Sequence, residues 1–266
     1  MRKEQSSAAH EAAPCVRVHL LRTTEKEALR AFAPFAPRSV PGLPRAYTLA
    51  AEKKALTALS LYTCGGFYLQ SASSQLAAHL LAPHAGARIL DMCAAPGGKT
   101  LHLADLMGNR GEILAVDASA ARLRKMRALL GRYGVTCART LCARAEFLWR
   151  RFPAHFDAVL VDAPCSLALP RSLREVKALA RRQTYLVRSA LACVRPGGVV
   201  LYGVCTTTEE ETRGVVSWIE NRMPECERLP LASSLPFVTG EGFLATPPSA
   251  PAPFTPFFYA LFRKRG

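Results

Sequence analysis

Two thiols and one loop of small residues are the parts of this chain best suited to chemistry. Cys165 lies in the run Asp162-Ala163-Pro164-Cys165-Ser166, and Cys205 stands between Val204 and Thr206. The loop reads Cys93-Ala94-Ala95-Pro96-Gly97-Gly98-Lys99. It follows the apolar run Ile89-Leu90-Asp91-Met92 and precedes Thr100-Leu101-His102-Leu103. Small residues at a strand-to-helix turn let the backbone approach a ligand, and the helix N-terminus offers free N–H groups. The pattern is a cofactor cradle at the carboxyl end of a strand in an open α/β sheet. It is neither a Walker loop nor the dinucleotide Gly-x-Gly-x-x-Gly. Taken alone, such a turn is often only a tight connection.

For the thiols and the loop to meet, strands must bring them to one edge. The first strand is expected over 88–91, with a helix from Gly98. Further strands are expected over 111–117, 135–141, 156–162 and 199–204, the last entered through Pro196-Gly197-Gly198. Helices are expected over 120–130, 171–194 and 208–222, another from Ser71–Ser74 to about Leu81, and a closing hairpin ends at 257–262. Strands alternating with helices argue for a doubly wound, mainly parallel Rossmann-like α/β sheet with an antiparallel C-terminal hairpin. In that sheet Cys165 and Cys205 end neighbouring strands beside the loop. Asp117 ends the second strand, where an acid accepts hydrogen bonds from ribose hydroxyls. It could equally be the N-cap of the next helix. A lone cysteine is usually a small buried hydrophobe, which is the reading for Cys15, Cys64, Cys137, Cys193 and Cys226.

The 266 residues are 50% hydrophobic, enough for one large domain and a small appendage. Residues 1 to about 14 are polar and expected to be disordered. Residues 15–62 mix helical patches with Pro34, Pro37, Pro41 and Pro44 and scattered arginines, a small RNA-contacting or lid segment. The main domain is expected over 63–266, with an irregular Pro-rich excursion at 230–256. A formal charge of +15 favours a polyanion such as nucleic acid. A basic surface is expected from the 171–188 helix and the N-terminal arginines, with binding that falls steeply with salt. Nine cysteines with no Cys-x-x-Cys pair suggest neither a disulfide framework nor a metal site, but reduced thiols in a cytoplasm. No apolar stretch suggests a signal peptide or a membrane span.

The chain resembles the RsmB/Sun family of S-adenosylmethionine-dependent RNA cytosine-C5 methyltransferases. The residues that carry this are Gly66-Phe67-Tyr68-Leu69-Gln70 with Ser73-Ser74, the run Leu90 to Thr100, Asp162 to Ser166, and Pro196-Gly197-Gly198. Cys205 followed by Glu210-Glu211 and the closing Phe257-Phe258-Tyr259-Ala260 also match. The resemblance covers roughly residue 63 to the end. It implies a class I methyltransferase fold in which Cys93, Ala94, Ala95, Pro96, Gly97, Gly98 and Lys99 hold the methionine and ribose of S-adenosylmethionine. Asp117 would take the ribose hydroxyls, and Cys142 aligns beside the adenine. Cys205 would be the nucleophile and Cys165 would assist release. Asp162 would hydrogen-bond the cytosine ring at the border of the cofactor site, and Lys99 would order the site.

The chain departs from the family pattern at Val204 (usually Thr), Cys142 (usually Asp) and Thr212 (usually Asn). After Ser166 a Gly-rich turn and Arg-Arg-x-Pro are replaced by Leu167-Ala168-Leu169-Pro170-Arg171. Cys142, Val204 and the altered loop motivate an alternative, an RNA-binding protein of the same fold without turnover. Retention of both thiols argues for the enzyme. A DNA cytosine methyltransferase would leave Cys205 unexplained. The implied partner is rRNA or tRNA, with no membrane or metal, and the protein is expected to be a monomer. With no NusB-like domain before the catalytic part, RNA selection is expected from residues 1–62 or the surface.

Overall fold

The computed structural model describes residues 13–167, 171–231 and 237–266. Most of the expected tail at 1–14 and part of the turn after Ser166 lie outside the described residues. The first elements are β1 (Cys15–Val18), α1 (Glu25–Phe32), β2 (Arg38–Ser39), β3 (Ala46–Thr48), α2 (Lys53–Thr57), α3 (Ser60–Thr63) and β4 (Phe67–Leu69). The four strands form an antiparallel sheet in the order β2-β3-β1-β4. Helix α1 begins at Thr24, whose side chain and that of Glu27 cap each other's backbone N–H groups. Val16, Val18, Phe32, Leu49, Leu56 and Phe67 close a small core of their own. Over residues 15–62 the sequence reading gave helical patches and turns, whereas β4 matches the short strand read after the turn at Gly65-Gly66. Strands of two to four residues are too short to display a period of two, so this sheet corrects it. The boundary expected between 62 and 63 cuts the sheet, because β4 lies beyond it.

The chain then alternates: α4 (Ala72–Leu81), β5 (Arg88–Met92), α5 (Gly98–Leu106), β6 (Glu112–Asp117), α6 (Ala120–Arg132), β7 (Ala138–Cys142), β8 (Phe156–Asp162), α7 (Leu173–Cys193), β9 (Val194–Val204), α8 (Arg213–Arg222), β10 (Cys226–Leu229), β11 (Leu244–Thr246) and β12 (Phe257–Lys264). The sheet order is β10-β12-β9-β8-β5-β6-β7, with β11 on β12. Strands β5 to β9 pair in parallel, and β12 runs antiparallel to β9, β10 and β11. Ile89 enters the core on one face and Leu90 the core on the other, as alternation demands of a strand covered on both sides.

Strand β9 begins five residues earlier than expected. Val194 pairs with Phe156 before the register shifts at Ala158. At Gly198 a Cβ would lie 2.7 Å from Asp157 O, which only glycine avoids. The excursion at 230–256 also holds a strand, β11.

The two sheets are joined through α5. Arg17 donates to Asp105 Oδ2 at 3.3 Å, and Arg45 lies 3.5 Å from the same oxygen. Leu20 N–H donates to Asp105 Oδ1 at 2.8 Å. Arg17 is 1% exposed. It therefore cannot contribute to the basic surface expected of the N-terminal arginines. Its charge is spent on a buried pair, the arrangement that a guanidinium out of water requires.

Candidate active site

Strand β5 delivers Asp91 and Met92 to the carboxyl edge of the sheet, and the chain turns there. Cys93 takes φ 62°, a left-handed value few residues with a Cβ adopt. The turn lets Ala94 N–H donate to Val116 O at 2.8 Å and Ala95 N–H to Asp117 Oδ2 at 3.3 Å, fixing the loop to β6. Gly97, at φ 112°, opens α5 without a side-chain cap. At Gly98 a Cβ would lie 2.7 Å from the Tyr68 ring. The first N–H groups of α5 are thus left to an anionic ligand.

Beneath the loop Asp91 is fully buried. Thr100 Oγ1 donates to its Oδ2 at 2.5 Å, while Oδ1 has no partner among the described residues. Burial pushes its pKa up to about 7. An unpartnered buried carboxylate oxygen beside uncapped N–H groups fits a ligand carrying both ammonium and carboxylate. The amino-acid end of S-adenosylmethionine is one.

Asp117 is 3% exposed. Its Oδ1 accepts from Ser119 N–H at 2.9 Å, and Arg122 Nη1 lies 3.0 Å from Oδ2. Arg122 also donates to Ala95 O. The cap of α6 is Ser119, whose Oγ accepts from Arg122 N–H, so the N-cap reading of Asp117 falls. Cys142 pairs with Asp117 across β6 and β7 and is exposed. Its thiol donates to Ala118 O at 3.7 Å.

Strands β8 and β9 lie side by side with Asp162 opposite Gly203. Cys165 Sγ and Cys205 Sγ are 3.1 Å apart. Lys99 Nζ donates to Asp162 Oδ2 at 2.8 Å and sits 5.0 Å from the Phe257 ring centre. Phe257 stacks on Tyr259 at 4.5 Å, and Tyr259 fills the space a Cβ at Gly203 would take. The closing strand thus backs the lysine that joins the cradle to the thiols.

The hydrogen bond from Cys205 pulls the Cys165 thiol below its ordinary value. The same bond keeps the proton on Cys205 and raises it, and burial and Asp162 add to the rise while Lys99 opposes it. Burial pushes Cys93 up to about 12, so it is no competing thiolate. Of the five cysteines read as buried hydrophobes, Cys15 and Cys193 are buried, Cys137 and Cys226 are half-buried, and Cys64 is exposed.

Sequence reasoning gave Glu211 no role, and it holds the two thiol loops together. Its carboxylate is fully buried. Oε1 accepts from Ser166 N–H at 3.0 Å and from Gln183 Nε2 at 2.8 Å. Oε2 accepts from Ser166 Oγ and from Thr208 Oγ1. Gln183 also donates to Pro164 O at 2.9 Å, and Tyr202 OH donates to Glu211 O at 2.6 Å. The sequence marks Glu210-Glu211 as part of the family pattern, but spacing does not announce these pairings.

Among the described residues no group of three His, Cys, Asp or Glu side chains is placed to hold a metal ion. Nor is any helix among them long and apolar enough to cross a membrane.

A doubly wound sheet with this cradle, and with two thiols at the ends of adjacent strands, places the protein among the Rossmann-like methyltransferases. Residues 78–263 match the family described as 16S rRNA methyltransferase RsmB/F, and the chain belongs to that family. Over 196 residues it is 34% identical to the tRNA (cytosine(72)-C(5))-methyltransferase NSUN6 of Mus musculus, covering 66% of this chain and 40% of that protein. Over 197 residues it is 36% identical to the ribosomal RNA small subunit methyltransferase F of Enterobacter sp. (strain 638), covering 68% and 41%. The chain thus spans about two fifths of the length of these curated relatives. A solved structure of a methyltransferase homolog protein from Pyrococcus horikoshii superposes with TM-score 0.85 at 29% identity, covering 95% of this chain and 87% of that one.

Proposed function

We propose that the protein is an RNA (cytosine-5-)-methyltransferase that acts on rRNA or tRNA in a reducing cytoplasm. The observation that carries this is the contact of two thiols at the mouth of the Cys93–Lys99 cradle. S-adenosylmethionine, when bound, supplies an electrophilic methyl group. Asp91, the uncapped start of α5 and Asp117 would hold it, with Arg122 yielding Asp117 to the ribose and Cys142 bordering the adenine.

Carbon 5 of cytosine is too weak a nucleophile to take a methyl group unaided. A thiolate that adds to carbon 6 makes carbon 5 enamine-like and reactive. Cys205 would form that bond as its proton passes to Cys165, the acceptor already in contact. Asp162, held by Lys99, would hydrogen-bond the ring. After transfer the carbon-5 proton must leave and the Cys205–carbon 6 bond must break. Cys165, once its proton has gone to solvent, can accept the carbon-5 proton directly or through water. The target base must first leave any stack.

Bisulfite sequencing of total RNA from cells with and without the gene tests the reading. Loss of a methylated cytosine is the expected result and names the substrate. No change in any RNA would favour the alternative, an RNA-binding protein without turnover.

A further inference from the structure

Three large aromatics are exposed on the short helix Ala145–Arg150 and on α7. Phe147 is 48% exposed, Trp149 43% and Tyr185 46%. Each carries a guanidinium over its ring: Arg144 over Phe147 at 5.3 Å, Arg150 over Trp149 at 5.3 Å, and Arg181 over Tyr185 at 5.9 Å. Phe147 and Tyr185 face each other across a groove of about 450 Å³ between the short helix Ala145–Arg150 and α7. The acid in its lining, Glu146, is 7% exposed and held by Arg182 at 2.8 Å. The groove therefore offers ring faces and cations with no exposed carboxylate in its lining.

We propose that this groove is a stacking platform for the single-stranded RNA that flanks the target cytosine. The proposal rests on the reading of the protein as an RNA methyltransferase. A single strand combines a polyanionic backbone with open base faces, the two features the groove complements. A duplex hides its base faces, and an acidic peptide has no such faces to stack.

The position fits as well. The groove's lining includes Arg144, two residues past Cys142 at the carboxyl end of β7. The short helix follows directly from Cys142 at the end of β7. A base drawn out for methylation leaves its neighbours without a stacking partner, and aromatic side chains beside the catalytic edge would replace it.

The test uses the full chain. Its two tryptophans are Trp149 and Trp218, so Trp218→Phe leaves as the sole reporter Trp149, which borders the groove by sharing the Arg150 guanidinium with Phe147. Its emission is expected to be quenched by a single-stranded oligoribonucleotide of about ten nucleotides and not by the same sequence in a duplex. Phe147→Ala with Tyr185→Ala is expected to weaken single-strand binding about tenfold or more. Thermal unfolding and the salt slope should stay as they are, since no charge is removed. Phe147→Tyr with Tyr185→Phe should restore binding.

Unquenched Trp149, undiminished affinity in the double alanine variant, or an equal response to duplex would overturn the platform. So would an emission change that follows protein concentration without RNA, which would make the face a self-association surface. If the parent methylates RNA and the double alanine variant binds like the parent, the platform fails and the enzyme reading stands. If the parent methylates no RNA but quenching and its loss are seen, the groove binds single strands, while the enzyme reading and with it the role beside a target cytosine fail.

Discussion

Cys165 and Cys205 lie 3.1 Å apart, so either sulfur can donate its proton to the other, and the two titrate as a pair. The proposed division of labour predicts opposite behaviour of two variants. Cys205→Ala should neither methylate RNA nor form an adduct. Cys165→Ala removes the proton acceptor but also the bond that raises the Cys205 thiol, so Cys205 can lose its proton to solvent, attack and transfer; the variant should stall at release, leaving a protein–RNA complex that survives denaturing electrophoresis. Adducts with Cys205→Ala and none with Cys165→Ala would reverse the roles. The pair also sets a pH dependence. The bond from Cys205 favours the charged form of Cys165, so that thiol should alkylate below its ordinary pKa. Removing the donor in Cys205→Ala should move the midpoint of Cys165 alkylation upward. Mass spectrometry after iodoacetamide treatment between about pH 6 and pH 10 reads this. A midpoint that stays put would mean that the hydrogen bond between the sulfurs does not set the charge.

The elements of the cradle were legible because each carried its own local signal: the apolar run into Asp91, the small residues after it, and the Gly97-Gly98 step that opens the helix. The first sheet was not legible, because β2 and β3 have two and three residues and their pairing is decided by partners far along the chain. The clamp at Glu211 was hidden for the same reason. Its partners Ser166 and Gln183 lie 45 and 28 residues away, and spacing alone cannot reveal a contact of that range. The clamp fixes the loop after β8 to the loop after β9 and so sets the distance between the thiols. Glu211→Gln would point amide hydrogens at groups that already donate. It should lower stability by about 1–3 kcal/mol and slow adduct formation, leaving the affinity for S-adenosylmethionine unchanged. Calorimetry of cofactor binding beside an adduct time course checks both. An unchanged adduct rate would reduce Glu211 to a core residue.

At the scale of the molecule, the contact between the two sheets is a buried cluster of charge. His19 is held down to about 3 and His79 to about 4 by burial and nearby arginines, and His102 lies well below its ordinary value. Below about pH 6.5 the unfolded chain takes up protons that these folded imidazoles refuse. Stability therefore falls with pH, by about 2 kcal/mol for each such histidine at pH 5. Asp91 and Asp105 act in the opposite sense, because burial raises them and the folded state gains their protons first. His102→Leu isolates one histidine, since the aspartate contributions cancel when parent and variant are compared. Urea unfolding at about pH 7.5 and pH 5 should show the variant losing about 2 kcal/mol less than the parent. Equal losses would exclude His102 as an acid-sensitive site. The joint at Asp105 also bears on how such a protein can be re-engineered. The N-terminal sheet is not an interchangeable module. Its fourth strand runs on into α4, and Arg17 and Asp105 would each be left as an uncompensated buried charge by a graft that carried only one of them, at a cost of about 3–5 kcal/mol. A chimaera meant to redirect the choice of RNA would have to exchange residues through Gln70 together with the Asp105 face of α5, and that helix begins in the cofactor cradle.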